Sequence, residues 1–269
     1  MPSEYNPNLV AGMEAKFRRL NNPAHAMADA ISMLQMFPGL VGLWPCAGAG
    51  GGAANPSMLT DVSGNGLHLT LNTAAAHTTS NLIPAVNFVG TGSYYHADAA
   101  IFDILGTESH IQNDIKGLTI GGWFQFDRLA TAETLLSKWT SGTGANSYLL
   151  QKHSNDTIRL FVEDSSSNQN IAASVSAVAT SGWFFCVGRF DPSTEVAVWL
   201  NSEKTPNTTS IIAAIDSTAT RFEIAARDTG SAGLLDGRVS LAFLCAAAVP
   251  DIFIDTYFQM TAPLFGVSV

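Results

Sequence analysis

Charge is scarce in this chain, and positive charge scarcer still. Across 269 residues, Lys and Arg total 13 against 22 acidic residues, a formal charge of -9. So few cations exclude general phosphate-backbone binding, which needs a basic face, and no nucleic-acid partner is expected. Cysteine is also sparse. Cys46, Cys186 and Cys245 are odd in number and far apart, with no disulfide framework and no paired Cys/His zinc spacing. Cys186 and Cys245 lie in strand-like runs, where a free thiol behaves as a small buried apolar group. Long apolar runs are missing too, since the longest, 241–249, is too short to cross a bilayer. The N-terminus has no basic region followed by an apolar run, so the expectation is no signal peptide, no membrane insertion and folding in a reducing cytoplasm.

Enzyme signatures are missing as well. There is no G-x-S-x-G elbow and no Walker loop, and Gly48, Gly50 and Ala53 mimic a dinucleotide fingerprint only until Asn55-Pro56 forbids the helix it requires. The histidines at 25, 68, 77, 96, 110 and 153 show neither H-x-H nor H-E-x-x-H spacing. Glycoside hydrolysis needs two carboxyls flanking one bond. Glu163 and Asp164 are adjacent and diverge on a strand, while Glu223 stands alone on its own. No catalytic residues and no organic cofactor are expected.

What the chain does have is apolar residues, 46% of the total, arranged with a two-residue period. In GLTIGGWFQF, Leu118, Ile120, Phe124 and Phe126 alternate, with Gly122 in step, which predicts a strand with one face on a core. Gly121 and Gly122 side by side suggest a close backbone neighbour or a bend. Trp123 falls on the other face, which implies that this face is covered too. Similar runs recur at TLLSKW, SYLLQKH, TIRLFVED, GWFFCVGRF, EVAVWLN, TRFEIAAR and GRVSLAFLC, with turns between them, and this spacing argues an antiparallel sandwich. A short helical turn is expected around 101–105 and one short helix in 250–260.

Residues 1–39 differ from the rest and read as a helical arm, with 40–269 as a single β domain. Leu9, Met13, Phe17 and Leu20 mark one helix, and Asn22-Pro23 opens a second striped by Met27, Ile31, Leu34 and Phe37 before Pro38-Gly39 stops it. Two short helices need a surface to pack on, either their own β domain or another subunit. The assembly reading assigns Met13, Phe17, Leu20, Met27, Ile31 and Leu34 to contacts with neighbouring subunits. It expects removal of 1–38 to leave a soluble, cooperatively melting domain.

The succession GLWP (42–45), DVSGNG (61–66), PAVNFVGTGSY (84–94), LTIGGWFQF (118–126), LLSKW (135–139), GWFFCVGRFD (182–191), VAVWLN (196–201) and LLDGRVSLAFL (234–244) resembles the laminin-G-like jelly roll of the concanavalin A-like lectin/glucanase superfamily. The resemblance spans 40–260 and implies two antiparallel sheets face to face. It does not fix function, because this fold hosts enzymes, lectins and structural modules. Relatives often bind calcium near the DVSGNG loop, and Asp61, Ser63 and Asn65 are the candidate ligands here, with oxygens on alternate residues. The competing reading is an Asx-type turn held by Asp61 and Asn65 side chains. The acidic pair that many relatives carry after Asp-Gly-Arg-Val is Ser240-Leu241 in this chain. Trp139, Trp199, Tyr94 and Tyr95 are candidates for stacking on sugars, against core packing.

These readings favour a non-enzymatic structural protein of a tailed-phage virion, a head decoration or tail component assembled in the host cytoplasm, since laminin-G-like jelly rolls recur in such proteins. Its partners would be its own subunits and other virion proteins. The alternative is a carbohydrate-binding lectin or adhesion module taking a host-surface glycan.

Overall fold

A computed structural model describes residues 23–46, 58–72, 76–80, 83–107, 115–140, 146–217 and 221–269. Two eight-stranded sheets pack face to face. The back sheet runs β14 (Glu203–Asn207), β13 (Glu195–Leu200), β12 (Phe184–Asp191), β7 (Leu118–Phe126), β16 (Asp236–Cys245), β5 (Ile83–Val89) and β4 (Ala76–Ser80), with β1 (Leu40–Trp44) paired to the far half of β16. The front sheet runs β11 (Gln169–Ala177), β10 (Thr157–Glu163), β9 (Asn146–Lys152), β8 (Glu133–Trp139), β15 (Phe222–Ile224), β6 (Tyr95–Ala97), β3 (Leu69–Leu71) and β2 (Met58–Leu59). Every pairing is antiparallel. The jelly-roll sandwich expected from the sequence is the observed architecture.

β7 sits centrally, between β12 and β16. Its alternation works as the sequence predicts. Leu118, Ile120, Phe124 and Phe126 enter the core between the sheets, where they meet Tyr95, Leu136, Leu150 and Phe222 of the front sheet. Gly121 and Gly122 are required by their neighbours. A Cβ on Gly121 would lie 2.7 Å from the Cys186 carbonyl oxygen, and one on Gly122 would lie 3.1 Å from Cα of Ala242. That second approach comes from a bulge in β16, whose register on β7 shifts between Ser240 and Phe243, with Leu241 at a φ of 50°. The bulge bends β16 so that β5 pairs with its first half and β1 with its second.

The outer face of the back sheet is apolar as well, and helices seal it. α1 (Pro23–Leu34), α2 (Asp251–Thr261) and the 3₁₀ turn Ala262–Phe265 form a second core with Trp123, Phe185, Val187, Trp199 and Phe243. Trp123 stacks on Phe265 at 4.1 Å between ring centroids, and Phe37 meets Phe243, Phe253 and Tyr257 edge-on at 5.6, 6.1 and 5.7 Å. This packing revises the assignment of the arm. Leu34 is fully buried against the chain's own sheet, and Met27 and Ile31 pack partly against the same cluster. These three side chains are occupied within the chain, because a back sheet with large apolar residues on both faces needs a cover. Met13, Phe17 and Leu20 lie outside the described residues. The expected helical turn is the 3₁₀ segment Ala100–Phe102.

Candidate functional site

With the outer face of the back sheet sealed, the corresponding face of the front sheet carries the polar chemistry. Leu69, Tyr95, Phe222, Ile224 and Leu136 point between the sheets, so the residues alternating with them point outward. Cross-strand register lines up Thr70, His96, Glu223, Ser137 and Leu149 on that outer face, from β3 through β6, β15 and β8 to β9. Tyr94, two residues before His96, lies on the same face, with its ring centroid 5.7 Å from the imidazole.

Arg221 organises the cluster. Its Nε donates to Oε1 of Glu223 at 2.7 Å, its Nη2 donates to the Tyr94 hydroxyl, and the guanidinium lies 5.0 Å from the Tyr94 ring centroid. A tight turn at 227–232 leans on the same groups. The Tyr94 hydroxyl donates to the Thr229 carbonyl at 3.0 Å, and Ser137 Oγ donates to the Ala226 carbonyl at 2.8 Å. Gly230, at a φ of 81°, is irreplaceable there, since a Cβ would sit 1.9 Å from a Tyr94 ring carbon. Glu223 is fully buried, and its Oε2 accepts no hydrogen bond. The nearby Gly230 N–H is turned to the Arg227 carbonyl. Nδ1 of the half-buried His96 is likewise buried without a partner. Thr70 and Asp98 leave one side of the cluster open to solvent.

Burial sets the electrostatics. Desolvation pushes the Glu223 carboxyl up, against the pull of Arg221 and the Gly230 N–H, and Asp228 pushes it up further. Desolvation and then Arg221 push His96 down, with Asp98 opposing, so its imidazole is neutral at neutral pH. Glu133, Asp191 and Asp255 are also raised, chiefly by desolvation. Asp251 is lowered, as its bonds to Lys204 and Arg189 outweigh a large desolvation cost, and Asp164 is lowered chiefly by its bond to Asn168. A carboxyl raised on folding binds more protons folded than unfolded, so it adds stability as pH falls towards its unfolded value. The two lowered groups do the reverse, but only below the ordinary carboxylate range. The melting temperature is therefore expected to rise, or at least hold, between about pH 7 and about pH 5, and to fall below about pH 4. Calorimetric scans across that range check the sign.

The loop at Asp61 is built as a turn. Asp61 Oδ1 accepts from the Leu43 and Ser63 N–H groups at 3.0 and 2.8 Å, and Oδ2 accepts from Leu67 N–H and Ser63 Oγ at 2.9 and 2.8 Å. Asn65 presents its amide N–H₂ to the Val41 and Leu40 carbonyls. Both Asp61 oxygens are thus occupied by donors and Asn65 turns a donor inward, an arrangement that favours the Asx-type turn and does not fit a cation. Among the described residues, no group of three or more His, Cys, Asp or Glu side chains could hold a metal ion. Asp61→Ala is expected to cost about 2–3 kcal/mol, because it leaves buried N–H donors unmade, whereas chelation should leave the melt unchanged. Denaturant titration with and without chelator measures both.

None of the four stacking candidates is free to meet a sugar face. Trp199 lies under the helices, Tyr95 lies between the sheets, Trp139 packs edge-on against Phe161, and Tyr94 lies beneath Arg221. The sequence reading registered Glu223 as a lone carboxylate and His96 as one histidine among six. It missed Arg221, whose only local signal is its spacing of two from Glu223 on one strand face.

No family model and no curated protein matches this chain. Solved structures do match. The binding domain of Paraclostridial Mosquitocidal Protein 1 superposes with a TM-score of 0.61 at 10% identity, over 84% of this chain and 52% of that one. The botulinum neurotoxin serotype D binding domain gives 0.58 at 10% identity, over 85% and 52%. Trypanosoma rangeli sialidase in complex with sialic acid gives 0.57 at 15% identity, over 93% and 40%. At these identities the likeness is one of fold, and the chain spans about half or less of each matched structure.

Proposed function

We propose that this chain is a non-enzymatic recognition module, a lectin-like jelly roll that binds carbohydrate through the outer face of its front sheet. The observation that carries this reading is the contrast between the two outer faces. The back sheet is sealed by helices, whereas the front sheet keeps a half-open cluster in which Glu223 and His96 hold buried polar atoms without partners. Such atoms are costly to a fold, and they are retained where a ligand or a function uses them. The jelly-roll structures named above support binding over a virion role, two being binding domains and one a sialidase with sialic acid. Burial of Leu34 also weakens the argument for a free assembly arm.

The carboxylates support the non-enzymatic reading. Glu133 is tied to Arg128 and Lys152, Glu163 to Asn146 and Gln169, and Glu223 to Arg221, each in a different part of the front sheet. Recognition here is polar, because the aromatic side chains are committed to packing. A glycan array probed with the intact chain is expected to return a reproducible ligand. Arg221→Ala should weaken that ligand at least about tenfold, the loss of one charge-assisted contact. An array with no reproducible ligand would remove the proposal.

A further inference from the structure

Resting on the lectin-like reading, we propose that the front-sheet cluster takes a neutral, hydroxyl-bearing sugar and discriminates against acidic glycans, whether sialylated or sulfated. The argument begins with what the two partnerless atoms can accept. Oε2 of Glu223 is an acceptor and needs a donor, while Nδ1 of His96 can donate or accept according to tautomer. A sugar hydroxyl both donates and accepts, so it can serve either atom. A carboxylate or sulfate only accepts, and it would bring a second acceptor against Glu223.

Charge points the same way. The ionisable groups acting on the cluster are Arg221, His96, Glu223, Asp98 and Asp228, with the Tyr94 hydroxyl beside them. Arg221 already holds Glu223 and Tyr94, and the imidazole is neutral, so Asp98 and Asp228 leave the local balance negative. An acidic ligand would have to displace Glu223 from the single guanidinium while approaching two further carboxylates, in a chain whose net charge is -9. A neutral sugar meets neither penalty. Its approach is from the open side, where Thr70 and Asp98 are exposed and His96 is half-buried.

The experiment uses the full chain on an array that presents matched glycans with neutral, sialylated and sulfated ends, followed by calorimetric titration of the best binder. Neutral glycans alone should bind, with a loss of about tenfold or more in Glu223→Gln, which replaces an acceptor with an amide. Thr70→Lys, at an exposed position, should obstruct the open side while leaving the melt unchanged, and it serves if Glu223→Gln folds poorly. Val175→Ala, at an exposed position on β11, should bind as the wild type does. Preference for acidic glycans would overturn this inference and leave the lectin-like reading standing. Neutral binding that survives both Glu223→Gln and Thr70→Lys would place the ligand elsewhere and overturn it too. Absence of any glycan ligand would remove the function reading and this inference with it.

Discussion

A chain lacking residues 1–38 is expected to lose its cooperative melt and to aggregate, rather than persist as a soluble β domain. Truncation removes α1 and Phe37, which with α2 cover Trp123, Phe185, Trp199 and Phe243 on the outer face of the back sheet. An apolar patch of that kind is an aggregation surface once bared. A gentler variant isolates the cause. Phe37→Ala removes a ring in edge-on contact with three others and should cost about 3–5 kcal/mol, while Leu34→Ala should cost about 2–5 kcal/mol. Urea titrations of the two point variants, alongside light scattering of the truncated chain, test this. A truncated chain that stays monomeric with an unchanged melt would show that the helices are not part of the domain.

The second large effect is expected at Arg189, the residue that fastens α2 to the sheet. Its guanidinium is nearly buried, bonded to Asp251 and Glu195, and donates to the Val249 carbonyl at 2.8 Å. It also lies 4.9 Å from the Trp199 ring, which Lys204 approaches at 5.1 Å while pairing with Glu195 at 2.9 Å and Asp251 at 2.8 Å. Arg189→Ala leaves two carboxylates sharing one lysine and strands the Val249 carbonyl. Breaking a buried ion pair on one side costs about 3–5 kcal/mol. Asp251, held below the ordinary carboxylate range in the intact network, should titrate higher in the variant. Loss of stability together with faster amide exchange in 251–261 is the expected signature. An unchanged denaturation midpoint would mean that Lys204 alone suffices.

How much of this was legible beforehand depends on the range of the signal. The period of two in 118–126 placed β7 and its core face correctly, and the glycine pair announced a close neighbour that proved to be the β16 bulge. Pro23 and the Met27, Ile31, Leu34 stripe placed α1. The destination of that stripe was harder to read. The hint lay in GWFFCV, VAVWLN and LAFLC, apolar at consecutive positions rather than alternate ones, as strands buried on both faces are. Trp123 carried the same message on the face opposite Phe124. The cluster at Arg221 was beyond local pattern altogether. It forms because β15 pairs with β6 across 127 residues, and no short window shows that His96 and Glu223 are opposite each other.

The most direct test of the account is amide exchange on the full chain with and without the best neutral glycan from the array. Binding to the front-sheet cluster should slow exchange in 94–98, 221–224 and the turn 227–232, and leave α1, α2 and the Asp61 loop unchanged. Protection centred on the helices or on the Asp61 loop, with the Arg221 strand unaffected, would contradict it.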